Sequence, residues 1–271
     1  MGDNEVFALI VGLALAVSSA VRWYRPLIGI SPLVCPVSRR MPLLLTPLFC
    51  IAGIGLVLSE YVDPQVRNSF QYLALFLIAG AAWVLIGGQM LPILGISARQ
   101  DAIERRNGPA SVAICAALIS IASVYAGANI GAGPTIWTTF GPAALGSAAL
   151  GTLWLAHGVA GGAAESITVG RDWPTAWRSA AFYLASAIIL SRAVAGDWVS
   201  SQQTLVDFLY QGWPAAALGV LAAAFDRILM PTVHRLCPST QLAGLIPAAI
   251  YLLVSAAVLI ELGPLNLAKT R

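Results

Sequence analysis

Charged side chains are scarce in this chain, so each one inside an apolar stretch is a candidate for chemistry. The leading pair is His157 and Glu165. Eight residues separate them, about 12 Å along a helix with an angular offset of about 80°. A histidine and a carboxylate bordering one intramembrane cavity could relay protons or pass a cation. The plainer alternative sets Glu165 at the membrane boundary near Arg171 and has His157 hydrogen-bond a neighbouring helix. Asp207 and Gln211 are four apart, share a helical face, and could line an outer mouth with Glu60, Arg192 and Glu261. Simple interfacial charge is the alternative there. The candidate pathway is therefore Glu165, His157, Asp207 and Gln211.

A second group is the loop string Glu104, Arg105, Arg106 and Asn107. Upstream of it, Ser97 followed by Gln100 fits a capping box. Asp101 and Arg105 can pair across one turn. These features predict a short surface helix over 98–106, read either as a docking element or as a solvated interfacial turn.

Enzyme chemistry finds little support. The two histidines, His157 and His234, form no His-Glu-x-x-His, and no Gly-x-Ser-x-Gly occurs. Cys35, Cys50, Cys115 and Cys237 form no Cys-x-x-Cys, which argues against a disulfide framework or a zinc site. Arginines interleave with Asp101 and Glu104, which argues against a metal there. The glycine-rich stretch 127–134 lacks the Gly-Lys-Ser/Thr ending of a phosphate loop and reads as a flexible turn or a re-entrant mouth. The expectation is a non-enzyme with no cofactor and no metal.

The elements that must position these residues follow from composition. Of 271 residues, 58% are hydrophobic and 10% charged, with mean hydropathy +0.81. A soluble surface needs roughly 25% charged residues, so the chain belongs in a bilayer. About 20 apolar residues cross the hydrocarbon core. Eight stretches qualify: 6–22, 43–60, 70–93, 110–127, 140–164, 177–195, 204–226 and 242–263. Their apolar runs are continuous and not alternating, which favours helices over a barrel. The first stretch lacks a basic segment before it and reads as a retained helix, although Ser18-Ser19-Ala20 keeps a cleaved signal peptide open.

Basic residues set the orientation. Eleven of the fifteen fall in or beside loops that follow odd-numbered spans: Arg22, Arg25, Arg39, Arg40, Arg99, Arg105, Arg106, Arg171, Arg178, Arg227 and Arg235. Those loops should face the cytoplasm and both termini should face outward. Tryptophans 23, 137, 173, 177, 198 and 213 read as an interfacial belt, and Trp83 and Trp154 as packing residues. Gly158 and Gly162, with Gly161, form a smooth face that predicts a centrally packed fifth span.

The loops also resemble one another. Residues 24–31 read Tyr-Arg-Pro-Leu-Ile-Gly-Ile-Ser and residues 90–97 read Met-Leu-Pro-Ile-Leu-Gly-Ile-Ser, with a fainter echo at 229–232. Pro42, Pro109 and Pro174 predict the first turns of spans two, four and six, because proline lacks only an N–H that is unpaired there. For span eight, Ser239 or Thr240 is a candidate N-cap. The fold class expected is an all-α integral membrane protein, one domain over 1–271. About eight helices form four tandem hairpins in parallel, not inverted, repeat, as units 1–66, 67–136, 137–200 and 201–271.

The string Ile103-Glu104-Arg105-Arg106-Asn107-Gly108-Pro109-Ala110-Ser111, leading into a small-residue helix, resembles the bacterial inner-membrane family catalogued as domain of unknown function 350. Glu104 and Asn107 match that family's acidic and Asn positions. In Arg171-Asp172-Trp173-Pro174, Trp173 stands where the second Asn would be. The similarity covers about residues 70–198. It implies a multi-pass bacterial inner-membrane protein, with roles in transport or membrane stress only suggested. Two functions follow: a small-solute or ion channel or transporter, or a membrane anchor recruiting a cytoplasmic peripheral protein or anionic lipid. Partners beyond the lipid bilayer could include a second copy of the chain. Nucleic acid is not expected.

Overall fold

The computed structural model describes residues 2–33, 35–229, 239 and 241–265. The faint repeat at 229–232 reaches residues outside this set, as do His234, Arg235, Cys237 and Thr240. The architecture among the described residues is helical, with an isolated bridge between Val62 and Gly131 as the sole β pairing. Ten α-helices follow in order: α1 Asp3–Ile28, α2 Val37–Glu60, α3 Pro64–Arg67, α4 Phe70–Met90, α5 Gly108–Ala128, α6 Trp137–Gly161, α7 Ala163–Thr168, α8 Trp173–Val194, α9 Ser201–Leu229 and α10 Ile246–Leu262. Seven of the long helices are apolar enough to cross a membrane. The eighth long helix, α8, has 22 residues and coincides with the predicted span 177–195. At 1.5 Å per residue it is about 33 Å long. Arg178, Arg192 and its hydroxyl-bearing residues lower its hydropathy.

The centre of the bundle is α5 packed along α8, not the fifth predicted span. Buried residues make up 72% of the apolar stretch of α5, against 28% for α6 and 11% for α1. Small residues allow this close approach. A Cβ on Gly127 would sit 2.5 Å from the carbonyl oxygen of Ser191, so backbone meets backbone there. At the other end the Trp173 ring lies where a Cβ on Gly108 would be, at 2.7 Å. The remaining helices flank this pair. α2 packs on α5 and α10 on α8, while α1 packs on α4 and α9 on α6. The Gly158/Gly162 pair does not make a packing face, because Gly162 takes φ 68° and ends α6. Gly161 faces α9, where a Cβ would sit 3.2 Å from the Asp226 side chain, whereas a Cβ on Gly158 would meet Ala164 of α7 at 3.8 Å.

Helices α5 and α8 begin with one geometry, repeated 65 residues on from Asn107 to Asp172. Asn107 Oδ1 accepts from the N–H of Ala110 at 3.2 Å, and Asp172 Oδ2 accepts from the N–H of Thr175 at 2.8 Å. Each cap donates its own N–H six residues back, Asn107 to Asp101 at 3.2 Å and Asp172 to Ser166 at 3.0 Å. Arg106 and Arg171, just before the caps, both take left-handed backbone, with φ 53° and 52°. The caps thus align Asp172, and not Trp173, with Asn107. Pro109 and Pro174 occupy the first turns, as their spacing predicts. Pro42 does not. α2 begins five residues earlier at Val37 and carries Pro42 in its interior. The look-alike strings at 24–31 and 90–97 also diverge. Pro26 lies inside α1 and Gly29 is right-handed, whereas 91–94 is a 3-10 turn ending at Gly95 with φ 85°.

The loop 127–134 is not a free turn. Gly196 donates its N–H to Ile130 O at 2.9 Å, Trp198 to Ala132 O at 2.8 Å, and the Ala132 N–H binds Asp197 Oδ1 at 2.8 Å. Gly131 needs φ 115° here, and a Cβ on it would meet the Gly196 carbonyl oxygen at 2.3 Å. The ends of α5 and α8 are therefore stitched together by backbone. Among the tryptophans, Trp23 is buried against Gly88 and donates to Leu43 O at 3.2 Å, so it packs and does not join a belt. Trp83 and Trp154 pack as expected.

Replacing Gly127 by Ala should force α5 away from α8. The expected loss is about 1–3 kcal/mol, as for overpacking in a close-packed core. Thermal unfolding of the purified variant in detergent measures it, with Gly141→Ala, where a Cβ meets nothing, as the reference.

Candidate functional site

The site is built around Asp226, near the end of α9, which is 2% exposed. Arg178 reaches it from the second turn of α8, with Nε donating to Asp226 Oδ1 at 2.6 Å. His157, from α6, places Nε2 2.6 Å from Asp226 Oδ2. That contact has the separation of an ion pair without hydrogen-bond alignment, since Oδ2 has no aligned donor. Three helices thus converge on one carboxylate, and all three side chains are almost fully enclosed.

Arg178 is satisfied on every side. Its Nη2 donates to Thr175 Oγ1 at 2.9 Å, and Nη1 donates to the carbonyl of Ala243 in the turn before α10. Thr175 in turn donates its hydroxyl to Asp172 at 2.5 Å, so the cap of α8 also steers Arg178. A guanidinium has five donors in a planar fork, which suits this combination of carboxylate, hydroxyl and carbonyl. An enclosed charge is tolerated only when paired and hydrogen-bonded in this way.

His157 is different. Its ring packs against Phe182 at 4.7 Å and edge-on to Tyr183 at 6.2 Å. Its Nδ1 is buried and has no hydrogen-bond partner. Trp154 Nε1 and the Tyr251 hydroxyl, on aromatic rings adjoining the same cluster, are also buried without a partner. The site therefore holds an unpartnered imidazole nitrogen in an enclosed aromatic pocket beside a carboxylate shared with an arginine. A cation has little claim on it, because Arg178 already occupies the second carboxylate oxygen. Among the described residues no group of three His, Cys, Asp or Glu side chains is placed to hold a metal ion.

Of the predicted pathway residues, His157 is the one in this cluster. Glu165 is not beside it. The left-handed break at Gly162 ends the helix that would have carried both on one surface, and Glu165 is exposed on the short α7. Asp207 accepts from Gln203 Nε2 at 2.7 Å on the surface of α9. Gln211 meets Arg192, accepting from Nη1 at 2.9 Å. That contact is a separate site from His157. Arg178 counts in the sequence only as an orientation-setting arginine, and Asp226 stands beside Arg227 without a motif of its own. A useful signal was their scarcity, since few other ionisable residues lie so near apolar helix interiors.

The loop group resolves into structural roles. Residues Ala98–Glu104 form a π-helical turn with Ser97 as N-cap, accepting from the Gln100 N–H at 3.2 Å. The reciprocal partner is Asp101, not Gln100: its Oδ2 accepts from the Ser97 N–H at 2.7 Å. Asp101 also pairs with Arg105 at 3.1 Å, and Glu104 with Arg99 at 2.8 Å. Arg106 reaches back to Leu33 O at 2.7 Å. Asn107 is buried and donates to Ile167 O at 2.7 Å, tying the start of α5 to α7.

No protein-family model, curated protein or solved structure matches this chain.

Removing one member of the ion pair strands the other. Asp226→Asn should therefore cost about 3–5 kcal/mol. Replacing both, as Asp226→Leu with Arg178→Met, should cost less than the single change, because no buried charge is left over. Chemical unfolding followed by circular dichroism in detergent ranks the three proteins. A double variant as unstable as Asp226→Asn would show that packing, and not charge, governs the site.

Proposed function

We propose that this chain is a bacterial inner-membrane protein that moves a small solute or ion in a step coupled to protonation of His157. The observation that carries the reading is the unpartnered Nδ1 of His157 beside a carboxylate shared with Arg178. Ionisable groups deep among membrane helices commonly serve proton relays. A proton on Nδ1 makes His157 a cation competing with Arg178 for Asp226. That competition would alter the force holding α6, α8 and α9 together and could bias the bundle between two arrangements.

The architecture proposed is eight spans as four tandem hairpins, with both termini outward and the basic helix ends in the cytoplasm. The matching caps of α5 and α8 support a parallel repeat with an axis along the membrane normal. So do the paired contacts of α2 on α5 and α10 on α8. The Glu104–Asn107 string supports the inner-membrane family resemblance. The membrane-anchor reading draws support from the complete enclosure of the His157 cluster.

Proteoliposomes containing an internal pH dye separate the two. Under a potassium-valinomycin potential, the purified protein should acidify the lumen at least ten-fold faster than empty vesicles. His157→Gln, which retains hydrogen bonding without titration, should abolish most of that rate. Wild-type flux equal to that of empty vesicles, or unchanged flux in His157→Gln, would defeat the transport reading and leave the anchor.

A further inference from the structure

Well away from His157, at the C-terminal end of α1, three arginines from two distant parts of the chain converge on one concavity. Arg22 and Arg25 lie three residues apart on one face of α1, and Arg99 comes from the π-helical turn. The concavity measures about 470 Å³ and is open to the surface. Its apolar wall is Val21, Pro26 and Ile30. We propose that it binds the phosphate headgroup of an anionic phospholipid, with the lipid's chains lying along α1.

Charge and surroundings carry this assignment. Arg99 is paired with Glu104 at 2.8 Å, so one of the three positive charges is answered by the protein. Among the described residues, Arg22 and Arg25 form no ion pair. Two guanidiniums facing one cavity suit a phosphate oxygen pair, which they bind through parallel N–H donors. The helix that carries them is the one the bundle covers least. Phe7, Ile10, Val17, Val21 and Ile28 of α1 are all exposed. An apolar flank below a basic cup has the two-part shape of a phospholipid, and basic pockets at the cytoplasmic edge of membrane helices hold such headgroups. A free phosphate shares the headgroup chemistry but makes no use of the apolar flank.

The proposal rests on α1 lying in a bilayer but not on transport, and its test needs no flux. Delipidated full-length protein in a non-ionic detergent is titrated separately with phosphatidylglycerol, phosphatidylcholine and inorganic phosphate, and bound ligand is read by native mass spectrometry. Phosphatidylglycerol should bind at least ten-fold more tightly than phosphatidylcholine. Arg22→Gln with Arg25→Gln should remove that preference, while Arg67→Gln, at the opposite end of the bundle, should keep it. Circular dichroism reports whether each variant is folded, and the lysine pair Arg22→Lys with Arg25→Lys provides a milder change that should retain part of the preference. An unchanged preference in the folded glutamine pair overturns the site. Inorganic phosphate binding as tightly as phosphatidylglycerol overturns the lipid assignment in favour of a soluble phosphate.

Discussion

Arg178 is almost fully enclosed in the second turn of α8, inside an apolar bundle, and a guanidinium in that position has to be answered by acceptors from the helices around it. Asp226 supplies the charge from α9, Thr175 a hydroxyl from α8 itself, and Ala243 a carbonyl from the turn before α10. Each answer fixes the depth and rotation of the element that gives it. In lipid the hydrophobic effect does not drive helices together, so directional polar contacts and close packing have to specify the assembly. The Arg178 cluster does this for the half of the bundle formed by α6, α8, α9 and α10. Its requirement also explains why α8 is less apolar than its neighbours: it is shielded from lipid by the helices around it.

The other half is organised by a gentler version of the same rule. Arg40 of α2 is buried and donates to the carbonyls of Cys35 and Leu27, closing off the end of α1. The halves meet where α5 runs along α8, in contact through Gly127 on the Ser191 backbone at one end and Gly108 beneath Trp173 at the other. Beyond Gly127, the strand-like pairing of residues 130–132 with 196–198 removes the freedom that a glycine-rich loop would otherwise have.

Shared local geometry does not follow shared sequence in a simple way here. The strings at 24–31 and 90–97 are alike by eye, yet one ends in a right-handed glycine and the other in a left-handed one. The starts of α5 and α8 share fewer letters but the same capping bonds, from the cap side chain to the N–H three residues on and from the cap N–H to the carbonyl six residues back. A cap needs only a short side-chain acceptor, so Asn107 and Asp172 are interchangeable in that role, whereas Trp173 is not. Aligning residue names placed Trp173 against Asn107. Aligning hydrogen-bonding function moves the match by one residue.

Composition and the continuity of apolar runs were enough to establish a helical membrane protein and to locate its long helices within a few residues, because bilayer thickness and backbone hydrogen bonding leave no other solution. Pro109, Pro174, Ser97 and the Asp101–Arg105 pair were legible for the same reason: their effects act within one turn of helix. The centre of the bundle, the burial of Trp23, the separation of Glu165 from His157 and the convergence of Arg22, Arg25 and Arg99 were decided by tertiary structure. Each depends on which helix faces meet, or on a left-handed residue such as Gly162 that redirects the chain. Asp226 shows the difference most plainly. In the sequence it is one charge beside Arg227 at a helix end; in the bundle, 48 residues from Arg178 along the chain, it is the partner that allows an arginine inside.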